Sequence, residues 1–201
     1  MRKLLLAGWL LLPVGAWAYH EGPGQEGLQL DRVDAELAQA RAAADKDDWD
    51  QAVVHFEAAL KELPALETRA LTHASQRIKL SAAKAKLEAS DLIAARRELS
   101  DLVADLGADE NADPAMLDEA REAFANSQYY YTWLMRLEGY PRDEWEPEVE
   151  VARQTFRLLA ERADERGDEV GAKTHMEDLE SAIKLARMDL EELQGLPLPS
   201  Q

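Results

Sequence analysis

The chain has 201 residues, with 40 acidic against 23 basic side chains, a net charge of −17 and no cysteine. A surface that negative repels phosphate backbones and anionic headgroups, which argues against nucleic-acid binding. Without thiols there is no disulfide, no lipoprotein anchor and no thiolate-held zinc or iron–sulfur site.

Residues 1–18 read as a signal peptide: Arg2 and Lys3 are followed by the apolar run Leu4 to Leu12, then Pro13, Gly15 and the small residues of Ala16-Trp17-Ala18. A helix over that run is roughly 13 Å long, too short for a hydrocarbon core of about 30 Å. Cleavage after Ala18 implies a periplasmic or secreted protein of charge −19, because −17 loses the two positive charges of Arg2 and Lys3. No later stretch is apolar enough to cross a bilayer. Residues 19–27, with three glycines and a proline, are expected to form a disordered leader. Residues 28–195 are the helical domain, and 196–201 a flexible tail.

Apolar spacing of three and four residues predicts seven helices and no sheet. The first carries Leu30, Val33, Leu37, Ala40 and Ala44. The second runs Trp49, Val53, Phe56, Leu60 and Leu63 and is closed by Pro64. A third, over about 66–89, places Leu71, Ala74, Ile78, Ala82 and Ala85 on one side. Ser90-Asp91 caps a fourth that ends at Gly107, and Asp113-Pro114 opens a fifth that ends near Glu138, before Gly139. The sixth is expected over 147–166, with Pro147 at its start. The seventh has the longest stripe, from Ala172 through Met176, Leu179, Ile183, Ala186 and Leu190 to Leu193, and is expected to stop at Gly195.

The second, fourth and sixth helices share a small residue, a bulky one four later and another apolar one three further on. These are Ala52, Phe56, Ala59; Ala95, Leu99, Leu102; and Ala152, Phe156, Leu159. A small residue lets a neighbouring helix approach and the bulky one fills the groove beyond, as in stacked hairpins. Ala35 to Pro64 resembles a tetratricopeptide repeat, with Ala40 in its first helix, Trp49-Asp-Gln-Ala-Val-Val-His-Phe-Glu-Ala-Ala-Leu as its second and Pro64 closing it. Two degraded copies are read at about 76–106 and 125–163. The chain departs from the family at Glu36, where an aromatic is usual, and in the 43- and 57-residue spacings between copies.

The resemblance implies an all-α stack of antiparallel hairpins, a solenoid with a long C-terminal capping helix. It also implies a concave face that holds a protein or peptide. Projected onto this chain, the groove residues are Arg41, Arg77, Lys84, Asn126, Tyr129, Trp133 and Arg136, a set suited to an acidic peptide or a terminal carboxylate.

Enzyme chemistry finds no foothold: there is no nucleophile elbow, phosphate-binding loop or dinucleotide fingerprint, and so no cofactor is expected. His20, His55, His73 and His175 lack metal-ligand spacing. Asp109, Asn111 and Asp113 open like a calcium loop, but Pro114 and Ala120 stand where its glycine and glutamate belong. The tract Tyr129-Tyr-Tyr-Thr-Trp133 spreads four aromatics around one helix, so it serves either as a recognition surface or as a wedge between two layers. The expected function is therefore an exported, non-enzymatic interaction module or scaffold. The alternative is a ligand- or cation-binding protein that uses the aromatic tract or the acidic loops.

Overall fold

A computed structural model describes residues 24–65 and 68–194, and among them every regular element is an α-helix. In chain order these are α1 (Gly24–Ala44), α2 (Trp49–Glu62), α3 (Arg69–Glu88), α4 (Leu92–Ala108), α5 (Pro114–Leu137), α6 (Arg142–Glu165), α7 (Glu169–Arg187) and α8 (Leu190–Gln194). The chain divides into two compact units, residues 1–78 and 79–201, with the boundary inside α3. The expected signal peptide, residues 19–23, the expected stop at Gly195 and the tail 196–201 lie outside the described residues.

Three of the connections are the same turn. After α1, α3 and α6 one residue takes a left-handed conformation: Asp47 (φ 58°), Ser90 (φ 64°) and Gly167 (φ 71°). The next residue is an aspartate, Asp48, Asp91 or Asp168. Its amide reaches back to the carbonyl five residues earlier, at Ala43, Lys86 and Ala163, at 2.8–3.0 Å. Each aspartate carboxylate then accepts from an amide of the following helix, at Gln51, Ala94 and Gly171. One helix is thus closed by a Schellman motif and the next opened by an N-cap within two residues, which forces an antiparallel hairpin.

Around these turns the small residues recur in register. Ala40, Ala83 and Ala160, each eight residues before the aspartate, are buried. Four residues after it stand Ala52, Ala95 and Ala172, and eight after it Phe56, Leu99 and Met176. The third copy of the unit is therefore α6–α7. Ala152, expected at the third seam, is fully buried but lies in the middle of α6, whose start at Pro141 has no side-chain cap. The sequence pattern found the right spacing on the wrong helix, because small-then-bulky pairs also arise within a first helix.

In the first unit α1 packs on α2. Val33, Ala40, Ala52, Phe56 and Ala59 are buried, and His55 Nδ1 meets Glu36 Oε2 at 2.7 Å across the hairpin. Leu63 turns extended ahead of Pro64, as a residue before proline must, and so ends α2. α1 begins at Gly24, earlier than expected, so residues 24–27 belong to a helix and not to an irregular leader. Extending a helix already nucleated costs little per residue.

In the second unit α4 packs on α5, α5 on α6 and α6 on α7, and α8 returns to α5. The N-terminal half of α5 offers Met116, Ala120 and Ala123 to Leu99, Leu102 and Leu106 of α4 and to Leu80 and Ala83 of α3. Its C-terminal half offers Ala125, Trp133 and Met135 to Trp145, Val149 and Phe156 of α6 and to Leu179 and Leu185 of α7.

Two expected boundaries move. α6 starts at Arg142, with Pro147 inside its first turns, because Trp145 is already anchored in the core. The long seventh helix is broken at Met188, which is extended at φ −55°, ψ 149°. A second nucleus follows at once: Asp189 Oδ1 accepts from the Glu192 amide at 2.8 Å, and Glu192 Oε2 from the Asp189 amide at 3.1 Å. This reciprocal capping box starts α8. The C-terminal cap is therefore two helices, with Leu193 turned into the core.

Candidate functional site

The seven residues projected onto a groove are divided between the two units. Arg41 and Arg77 are exposed residues of the first unit. The other five belong to the second, and two of those are committed to the fold. Trp133 is buried in the core of α5, α6 and α7, with its ring edge-on to Tyr129 at 6.2 Å. Arg136 donates to the carbonyls of Leu185 and Met188, the free C-terminal carbonyls of α7, and stacks 4.7 Å above Trp145. A guanidinium there complements the negative end of the helix and helps to stop it. Burial, then the nearby Arg142, pulls the Arg136 pKa below its ordinary value.

Lys84 and Asn126 do come together. They border a recess of about 250 Å³ closed by the end of α3 (Leu87, Glu88), the start of α4 (Leu92) and one side of α5 (Glu119, Glu122, Ala123, Tyr130). That is below the roughly 300–1,000 Å³ of most small-molecule sites and suits a single side chain. Its lining joins the apolar Leu87, Leu92 and Ala123 to three carboxylates and one ammonium. Lys84 Nζ already meets Glu119 Oε1 at 3.1 Å. Burial, followed by the fields of Glu88 and Asp178, pushes the Tyr130 phenol above its usual pKa. The recess is electronegative, opposite to what Arg41, Arg77 and Lys84 suggested.

The aromatic tract divides between layers. Thr132 and Trp133 are buried, while Tyr129, Tyr130 and Tyr131 are half-buried. Tyr131 lies under the guanidinium of Arg96 at 4.3 Å. Arg96, unmarked in the sequence, crosses from α4 to donate to Gln128 of α5 and to Glu148 of α6 at 2.6 Å. It ties three helices together.

Also on α5, Asp118 gathers three arginines. Its oxygens lie 2.6 Å from Arg166, 3.2 Å from Arg162 and 3.5 Å from Arg121. The spacings Asp118–Arg121 and Arg162–Arg166 place each pair on one helix face, a signal present in the sequence. That the two faces meet was not. Among the described residues no three histidine, aspartate or glutamate side chains are placed to hold a metal ion.

No family model matches the chain, and neither a curated protein nor a solved structure matches it.

Proposed function

We propose that the protein is an exported, non-enzymatic interaction module of tetratricopeptide-like hairpins, and that the recess between α3, α4 and α5 receives a lysine or arginine side chain of a partner polypeptide. Export is supported by the basic, apolar and small-residue order of residues 1–18. The hairpin reading is supported by the three identical turns at Asp48, Asp91 and Asp168 and by the small residues in register around them.

The observation that carries the partner chemistry is the recess. Leu87, Leu92 and Ala123 suit the methylene stem of a long basic side chain, while Glu88 and Glu122 remain to meet its charged end beside the Lys84–Glu119 pair. This reverses the acidic-peptide preference drawn from sequence, because the acidic residues that α5 adds to the site outnumber its one cation.

Fluorescence anisotropy with a labelled Lys/Ala peptide and a matched Glu/Ala peptide tests the reading. Simple attraction to a −17 chain is controlled by comparing Glu119→Gln/Glu122→Gln with Glu177→Gln/Glu180→Gln on exposed α7, two variants of equal net charge. The recess variant should lose about tenfold or more in affinity for the basic peptide, and the control much less. Equal losses, or tighter binding of the acidic peptide, would remove the assignment.

A further inference from the structure

The Asp118 cluster carries charge that the fold does not use. In a chain with 40 acidic and 23 basic side chains, pairing each arginine with its own carboxylate would be easy. Instead Arg121, Arg162 and Arg166 converge on one, and among the described residues none of the three is paired with a second carboxylate. The Asp118 side chain is only 10 % exposed, whereas those of Arg121, Arg162 and Arg166 are 21, 31 and 50 % exposed. The carboxylate forms the floor and the guanidiniums stand around it, nearer to solvent.

Each guanidinium has five N–H donors in a planar fork, and Asp118 has two oxygens to offer. Most of the donors are left to water or to a ligand. Within the cluster itself, three positive charges over one negative leave an excess of two. Holding like charges that close costs free energy, and a glutamine or leucine at any of the three positions would relieve it.

The geometry points to a binding site for a dianionic tetrahedral oxyanion, a phosphate or sulfate group, seated on Arg121, Arg162 and Arg166 above Asp118. One dianion neutralises the excess, and guanidinium forks match its oxygens in pairs. Arg166 and Asp118 also border an open hollow of about 490 Å³ where Asp113, Glu119, Glu122 and His175 stand. The carboxylates there repel an anion, so it approaches from the Arg121–Arg162 flank. None of the three arginines nor Asp118 lines the recess, although Glu119 and Glu122 border both places, and the ligand has the opposite charge.

The test is a titration of the full chain at pH 7 and constant ionic strength, with sodium phosphate, sodium sulfate, O-phosphoserine or sodium acetate replacing chloride. It is read by melting temperature and by the arginine Nε–H signals in a ¹⁵N correlation spectrum. Phosphate or sulfate should give a saturable rise in melting temperature and move three arginine signals. Arg162→Gln/Arg166→Gln should weaken binding about tenfold or more, while the exposed pair Arg157→Gln/Arg187→Gln leaves it unchanged. Arg162→Lys keeps the charge but loses the fork, and should fall between. Stronger binding of phosphoserine than of free phosphate assigns the source to a phosphate ester, and the reverse to the free ion. If neither dianion exceeds chloride, if acetate binds as well as they do, or if anions bind only after Asp118→Asn, then Asp118 already satisfies the cluster and the proposal falls.

Discussion

α4 and α7 begin from the same turn, with a left-handed residue, a capping aspartate and an alanine four residues on. Eight residues after the cap, however, Leu99 of α4 is fully buried and Met176 of α7 is 47 % exposed. The local chemistry is shared, and what differs is the neighbour. α4 is covered by Met116, Ala120 and Ala123 of α5, whereas α7 buries only the face it turns to α5 and α6, through Leu179, Ala182 and Leu185. A repeat therefore fixes where a hairpin turns, not how much of it is covered. The cost of any substitution should follow coverage.

The largest effect belongs to that pair of positions. Leu99→Ala should destabilise by about 3 kcal/mol through a cavity at the α4–α5 seam, and Met176→Ala by about 0.5 kcal/mol or less. Urea unfolding of the two variants checks this. Similar losses would mean that α7 is covered after all.

The caps should show the opposite, a likeness between the two helices. Asp91→Ala and Asp168→Ala remove the same bond from the same turn, and each should cost about 1 kcal/mol. A cost at Asp91 several times that at Asp168 would show that the turns differ in energy although their geometry agrees.

The smallest effect is a pH dependence confined to α7. Burial there, with Glu122 and Glu177 nearby and despite His175 at 3.8 Å, holds the Asp178 carboxyl above its ordinary pKa. A carboxyl raised in the folded state favours folding below its unfolded pKa, and loses that contribution as pH rises through the folded value. Asp178→Asn should therefore raise the melting temperature slightly at pH 7, and the gain should vanish below about pH 4. A gain that persists in acid would point to packing and not to charge.

The helices and most of their ends were legible in the sequence. Asp113-Pro114 opens α5 and Gly139 follows its end at φ 80°, because capping and left-handed glycine are decided within one turn of chain. The capping box Asp189–Glu192 was equally readable, but the regular stripe through Leu190 and Leu193 masked it. The site was much less so. Lys84 and Asn126 were named and line one recess, Tyr130 was marked only as one of the aromatic tract, and Glu88 and Glu122 were not marked, since nothing in a helix's own periodicity says which side of it another helix covers. Arg136, projected onto the groove, instead caps a helix roughly fifty residues further along the chain.

By itself the sequence determined an acidic, cysteine-free chain, the helical character of its described residues and most of the positions at which it turns. Those properties depend on contacts no more than about five residues apart, where backbone geometry leaves few choices. Only the tertiary structure decided that the third hairpin is α6–α7, that Asp118 collects arginines from two helices, and that the recess on α5 is negative. Each of these rests on side chains brought together by the burial of apolar faces, which specifies that a face must be covered but not which charges its edges bring along.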